Sequence, residues 1–242
     1  MDLNLFWKNL VHVLQIQVAP ISLAERGVSI VGGFLGIFLV IAISNATLGL
    51  NDASMLIASM GASAVLLFAA PHGVMAQPWS ILGGHIVSAL IGVCCALFIP
   101  DLFLAAAAAV AIAIGVMQLL GCLHPPGGAT ALVAVLGGDR VHELGFQFVL
   151  TPVMLNAATL LIVAFLFNNF FKWRRYPIAM MPPLRRSASK GHVPYKDISH
   201  ADFVAALSEI DTFIDITEQD LLRIYDLVTR HEQNSRNNKP HN

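Results

Sequence analysis

The chain has 242 residues, of which 56% are hydrophobic and only 12% charged, and its formal net charge is −1. A soluble domain carries about 25% charged residues, so the shortfall argues against an ordinary water-soluble fold. The net charge itself says little, and no nucleic-acid partner is expected.

The charges that exist are segregated. No Asp, Glu, Lys or Arg occurs in 27–51, 53–100, 102–138 or 144–171. The second and third runs exceed the ~20 residues that cross a bilayer once. The expected fold class is therefore an all-α polytopic membrane protein, with the lipid bilayer as its surroundings. Residues 1–24 place Leu5, Phe6, Trp7, Leu10, Val13 and Leu14 near helical spacing, an amphipathic segment for the membrane surface. A membrane domain then fills 25–177. Its first span is 27–48, where Gly32, Gly33 and Gly36 give one small face for a neighbouring helix. The long run folds back at Pro71-His72-Gly73 and Gln77-Pro78, with Gln77 placed to cap the next helix. That leaves spans at 53–71 and 79–98. Pro100-Asp101 turns the chain into an Ala-rich fourth span, 102–120.

The next stretch is anomalous. Gly121-Cys122-Leu123-His124-Pro125-Pro126-Gly127-Gly128-Ala129-Thr130-Ala131-Leu132 puts helix breakers deep in apolar sequence. Lipid supplies no partner for freed backbone groups, so such a break persists only when buried in protein or lining a cavity. The apolar run after it, 127–137, reaches ~16 Å as a helix, about half the hydrocarbon core. A polar loop follows through Glu143, and the last span, 148–171, stops at Lys172, Arg174 and Arg175. Basic residues cluster beside the first span (Lys8, Arg26) and after the last, while the opposite loops hold only Arg140. This distribution predicts cytoplasmic termini in the cell inner (plasma) membrane and an even number of crossings. Six results if the Pro-Pro stretch and its half-helix count as one.

Beyond the membrane domain, 178–198 is a linker, 199–232 a small helical cytoplasmic tail and 233–242 a disordered end. Within the tail, Thr217-Glu218-Gln219-Asp220 resembles a capping box opening the second of two helices. Cys94, Cys95 and Cys122 lack metal-ligand spacing and are read as small apolar residues; no metal or cofactor is expected.

Gly61-Ala62-Ser63-Ala64-Val65-Leu66 matches Gly128-Ala129-Thr130-Ala131-Leu132-Val133 in type. The match divides the domain into two three-span repeats, 27–98 and 101–171, inverted relative to each other. Inverted repeats joined by discontinuous helices are a transporter plan with the substrate near the midplane. On this reading Ser54–Met60 and Leu119–Pro126 are extended stretches entering from opposite sides, with half-helices starting at Gly61 and Gly127. Two positive helix ends would face a small anion. Gly61, Ala62, Gly127, Gly128 and Ala129 give it access to the backbone, and Ser63 and Thr130 supply hydroxyls. Such ends contribute ~0.3–1 kcal/mol each, which suits a monovalent anion rather than phosphate. His124 is either on the path or a cap of the turn. His85, mid-span, is either functional or an interhelical bond. Asn156 and Gln118 are candidate ligands or helix–helix contacts. Asp52, Asp101, Asp139 and Glu143 are read as solvated loop charges.

Leu123-His124-Pro125-Pro126-Gly127-Gly128-Ala129-Thr130-Ala131-Leu132 resembles the signature of the HPP integral membrane family. Ala76-Gln77-Pro78, Gly83-Gly84-His85, Phe167-Asn168-Asn169 and Tyr176-Pro177 are similar too, and the resemblance covers about 20–177. It implies a transporter or channel for a nitrite-type anion. The tail resembles the connector that some members carry before further domains. The competing reading is a membrane-embedded sensor or scaffold signalling through that tail. No enzyme motif is present, no catalytic residue is assigned, and a homo-oligomer remains open.

Overall fold

The computed structural model describes residues 21–47 and 50–181. The amphipathic N-terminal segment and the linker, tail and terminus after the membrane domain fall, but for their edges, outside these residues. No strand occurs among the described residues.

Helix α1, Leu23–Thr47, begins before the expected residue 27. The Ser22 hydroxyl accepts the Glu25 backbone N–H at 3.1 Å, the start of a capping-box pattern with an acid three residues on. Helix α2 covers Leu50–Ala69 and runs unbroken through Gly61. The extended stretch expected over Ser54–Met60, and with it the half-helix starting at Gly61, is not there. No proline lies in this segment, and one glycine costs a helix only ~1 kcal/mol against alanine, too little to break it.

A single 3₁₀ turn, Val74–Ala76, leads to α3, Pro78–Phe98. Proline fits a first helical position because its missing N–H is not needed there. Gln77 occupies the N-cap position, but its side chain does not cap. It donates instead to the carbonyls of Pro71 (3.1 Å) and Gly73 (2.9 Å) and accepts from the Ile178 N–H (3.1 Å). Helix α4, Leu102–Leu119, is capped by Asp101, whose carboxylate accepts the Leu104 N–H at 2.7 Å; this charge is a cap rather than a free loop acid.

Helix α4 ends in a Schellman arrangement. Gly121 has φ +64°, the Cys122 N–H returns to the Met117 carbonyl and the Gly121 N–H to that of Gln118. The chain then runs without helical structure through Cys122 and Leu123 into α5, Pro125–Leu136, of 12 residues. This helix starts at Pro125, before the expected Gly127, since two prolines suit the first turn.

The stretch before α5 lies against α3. A Cβ added to Gly83 would sit 2.9 Å from Cys122 Cβ, and one on Gly84 2.5 Å from His124 Cβ. Further along, a Cβ added to Gly92 would lie 2.6 Å from the Ala131 carbonyl oxygen, so α3 and α5 run in the same direction in close contact. Small residues allow that approach. Gly32 and Gly36 do the same for α1 against Phe68, Phe167 and Leu160, whereas Gly33 faces open space.

A short helix α6, Asp139–Leu144, occupies the expected polar loop. The last span is broken rather than continuous over 148–171. A wide turn, Val149–Met154, holds Thr151 in extended geometry (φ −134°, ψ 111°) beside Pro152, and α7 covers Leu155–Asn168. Pro152 lacks an N–H and its ring displaces a preceding carbonyl, which explains the break.

Two apolar cores result. One joins α1, α2, α3, α5 and α7 around Leu56, Met60, Phe68, Ile81, Val133 and Leu160. The other joins α3, α4 and α5 around Ala105, Ala109, Ala113 and Met117. Helices α3 and α5 contribute to both. Four described segments are long and apolar enough to cross a membrane: Leu23–Ala46, Pro78–Phe98, Leu102–Leu119 and Val149–Asn168; Leu56–Ala69 and Pro125–Leu136 are shorter apolar helices. Phe34, Phe38, Phe103 and Phe165 are exposed on the outside, as a lipid solvent permits.

Candidate functional site

The close contacts of α3 with the 121–124 stretch and α5 bring polar side chains together in apolar surroundings. Ser63, His85, His124 and Thr130 are each 0% exposed. Ser63 Oγ lies 2.8 Å from both His85 Nε2 and His124 Nε2. On the far side of His85, Nδ1 lies 2.8 Å from Thr130 Oγ1. Ser59 Oγ lies 2.8 Å from Thr130 Oγ1 and 2.8 Å from the Pro126 carbonyl. At the other end, His124 Nδ1 lies 2.8 Å from the Met75 carbonyl. The two imidazole rings meet edge to face with centroids 4.9 Å apart.

With both rings neutral, this connectivity permits one proton order. A carbonyl only accepts, so His124 Nδ1 carries a proton toward Met75 and its Nε2 accepts. Ser63 donates its single proton to that Nε2, and His85 Nε2–H must then donate to Ser63. His85 Nδ1 is left as an acceptor for Thr130 O–H. The Ser59 proton is shared between Thr130 Oγ1 and the Pro126 carbonyl. All the protons along the chain point from Thr130 toward Met75.

The expected site residues divide accordingly. Ser63, His85, His124 and Thr130 come together, from α2, α3, the 121–124 stretch and α5. Gly127 packs beneath them, where an added Cβ would lie 2.7 Å from Ser88 Oγ and 2.9 Å from the Gly84 carbonyl. Gly128 and Ala129 are half-buried in the first turn of α5, and Gly128 looks toward Val110 of α4. Gly61 lies mid-helix with open space before it, and Ala62 is exposed. Gln118 is exposed as well. Asn156 is buried but donates to Ser44 Oγ at 2.8 Å rather than joining the histidines; its Oδ1 has no partner.

The start of α5 also differs from the expected bare anion cradle. Pro125 and Pro126 have no N–H, and the Gly127 N–H returns to the His124 carbonyl at 2.8 Å. The donors available here are hydroxyls and imidazole N–H groups.

Two further contributors escaped the sequence reading. Ser59 sits one helical turn before Ser63 on the same face of α2, a spacing that would have flagged it. The other is an ion pair between Glu25 and Arg174, both buried. Arg174 also donates to the Asn168 side chain (3.2 Å), to Ser29 Oγ (3.2 Å) and to the Phe68 carbonyl (2.7 Å), and Trp173 Nε1–H donates to Glu25 at 2.9 Å. Burial lowers the Arg174 pKa, and the Glu25 carboxylate acts against that. Next to it, Tyr176 donates to the Ala76 carbonyl at 2.7 Å, and burial raises its phenol pKa. Among the described residues no group of three His, Cys, Asp or Glu side chains is placed to hold a metal.

A helical bundle with lipid-compatible outer faces and a histidine–hydroxyl chain inside defines a polytopic membrane protein. This chain belongs to the HPP transmembrane family: residues 18–177 match the profile described as HPP, transmembrane region. It is 36% identical over 161 residues to a transmembrane protein of Dictyostelium discoideum, covering 65% of this chain and 51% of the relative. A second transmembrane protein of the same organism is 39% identical over 163 residues, covering 65% and 56%. The chain thus spans about half the length of the curated relatives it matches. No solved structure matches it.

Proposed function

We propose that the chain is an integral membrane transporter or channel for a small monovalent anion, with nitrite the first substrate to test. The observation that carries the reading is the buried chain Ser59–Thr130–His85–Ser63–His124 at the junction of α2, α3 and α5. Ionisable residues inside membrane spans are costly and mark ion or proton pathways by default. Neutral donors can replace part of the hydration shell of a monovalent ion. They give a multivalent ion no compensating charge, since the sequence has no Lys or Arg between Gly27 and Asp139. Nitrite is selected within that class by the resemblance to nitrite-linked family members. Transport asks no catalytic chemistry of the histidines.

The reading counts six crossings, with the 121–124 stretch and α5 together making the fifth, and both termini in the cytoplasm of a plasma membrane. The inverted repeat draws support from one contact: Ser59 bonds to Pro126, 67 residues on, the spacing of the sequence match. Residues near a pseudo-twofold axis meet their counterparts in this way. The anion, however, is read as held by side chains around one helix start rather than clamped between two.

The test is uptake by liposomes reconstituted with the full chain. Saturable nitrite uptake above protein-free liposomes is expected, with phosphate excluded. Absence of flux for every monovalent anion tried would sink the transport reading and favour the sensor or scaffold, whose tail lies outside the described residues.

A further inference from the structure

We propose that the buried chain is a proton relay and that each anion crosses together with one proton; the inference rests on the transport reading above. The argument begins with charge. A desolvated anion at this site finds no fixed cation: Arg174 is committed to Glu25, Asn168 and the Phe68 carbonyl, and α2, α3, α4 and α5 contain no Lys or Arg. The groups facing the two rings are Ser59 and Ser63 from α2, Thr130 from α5 and the Met75 carbonyl from the 3₁₀ turn. Ser88 of α3, beside them, donates to Met117 Sδ of α4 at 3.7 Å. None carries charge. The compensating charge therefore has to be a proton, and the two imidazoles in series are the groups there with a ring nitrogen able to take one.

The forced proton order gives the step. A proton arriving at Thr130 Oγ1 replaces the one that Thr130 passes to His85 Nδ1. The His85 Nε2–H bond breaks as its proton bonds to Ser63 Oγ, and the Ser63 proton moves to His124 Nε2. The His124 Nδ1–H then leaves at the Met75 end. One proton has entered and one has left, with no change of electrons. The exit lies beside the 71–77 turn, where His72 and Gln77 tie the chain to Arg175 and Ile178. The Met75 carbonyl cannot itself accept a proton, so release requires that turn to yield its place to water or to the anion.

The experiment follows nitrite and protons together in liposomes carrying the full chain and an internal pH dye. Potential is clamped with potassium and valinomycin, and diffusion of the free acid through protein-free liposomes is subtracted. One proton per nitrite and no dependence on the clamped potential are expected. Ser63→Ala, which removes the link between the rings, should lower coupled uptake at least about a hundredfold, the small end of a proton-transfer contribution. Nitrite uptake without protons overturns the relay and leaves the transport reading standing; no nitrite uptake sinks both. A readout on the unmodified protein covers variants that fail to fold: ¹⁵N-histidine spectra should show His124 protonated at Nδ1 and His85 at Nε2. The same tautomer at both rings overturns the relay.

Discussion

The Glu25–Arg174 pair shows how one residue can serve two ends of a fold. Glu25 completes the first turn of α1, and Arg174 lies past the end of α7, so their bond joins the first and last membrane helices. Breaking a buried pair from one side strands a charge and typically costs about 3–5 kcal/mol, whereas replacing both partners with apolar groups is often neutral. Glu25→Gln should therefore lower the thermal midpoint of the purified protein sharply. Glu25→Met with Arg174→Met should recover most of the loss; a double variant as unstable as the single would refute the pairing argument. His72 offers a pH test at the same scale. Burial lowers its pKa, the bond to the Arg175 carbonyl opposes that, and Arg174 and Glu25 act in opposite senses. A folded value below the unfolded ~6.5 means the unfolded chain binds the extra proton first as pH falls. The His72 contribution is complete above the unfolded value and lost as pH drops through the folded one. His72→Asn should lose less stability than the parent between neutral and mildly acidic pH, and equal losses would exclude His72 as the source. Neither residue role was visible in the chain. Arg174 read as a charge stopping a helix, because a sequence does not say which charge folds back.

Among the elements, the non-helical stretch leading into the short α5 was legible, and the break in α2 was a misreading. The breakers in His124-Pro125-Pro126 act through covalent geometry, which holds whatever the surroundings. The match at Gly61 rested on small residues alone, and those are compatible with an unbroken helix. Pro152 went unweighed inside a long apolar run, yet its missing N–H breaks the last span. These differences make the glycines discriminating. Gly84→Ala would press a methyl to within 2.5 Å of His124 Cβ, where neither neighbour is a flexible chain end. It should disrupt both folding yield and uptake. Gly61→Ala meets nothing within 4 Å and should leave uptake unchanged while raising helix stability by up to ~1 kcal/mol. Loss of uptake in Gly61→Ala at normal folding would restore the half-helix site that the continuous α2 removes.

For the whole molecule, the histidine chain lies where the two apolar cores meet, with α3 and α5 common to both. Every hydroxyl and ring nitrogen in it is engaged, and Ser63, His85, His124 and Thr130 are shut off from solvent. An ion therefore reaches these groups only if one core moves against the other. Dense cores resist internal deformation, so the movement falls at their junction, with α4 and the 121–124 stretch shifting relative to α1, α2 and α7. Cys122 reports on this directly. It is fully buried, with its Cβ and Sγ in contact with α3 at Gly83, and it lies on the stretch that must lift. With Cys94 and Cys95 replaced by alanine, a maleimide should label Cys122 slowly at rest and several-fold faster during nitrite uptake. Where Ser63→Ala stalls uptake as expected, it should also hold the labelling near the resting rate. If labelling stays slow while nitrite crosses, the stretch remains docked on α3 and the path does not pass through the histidine chain.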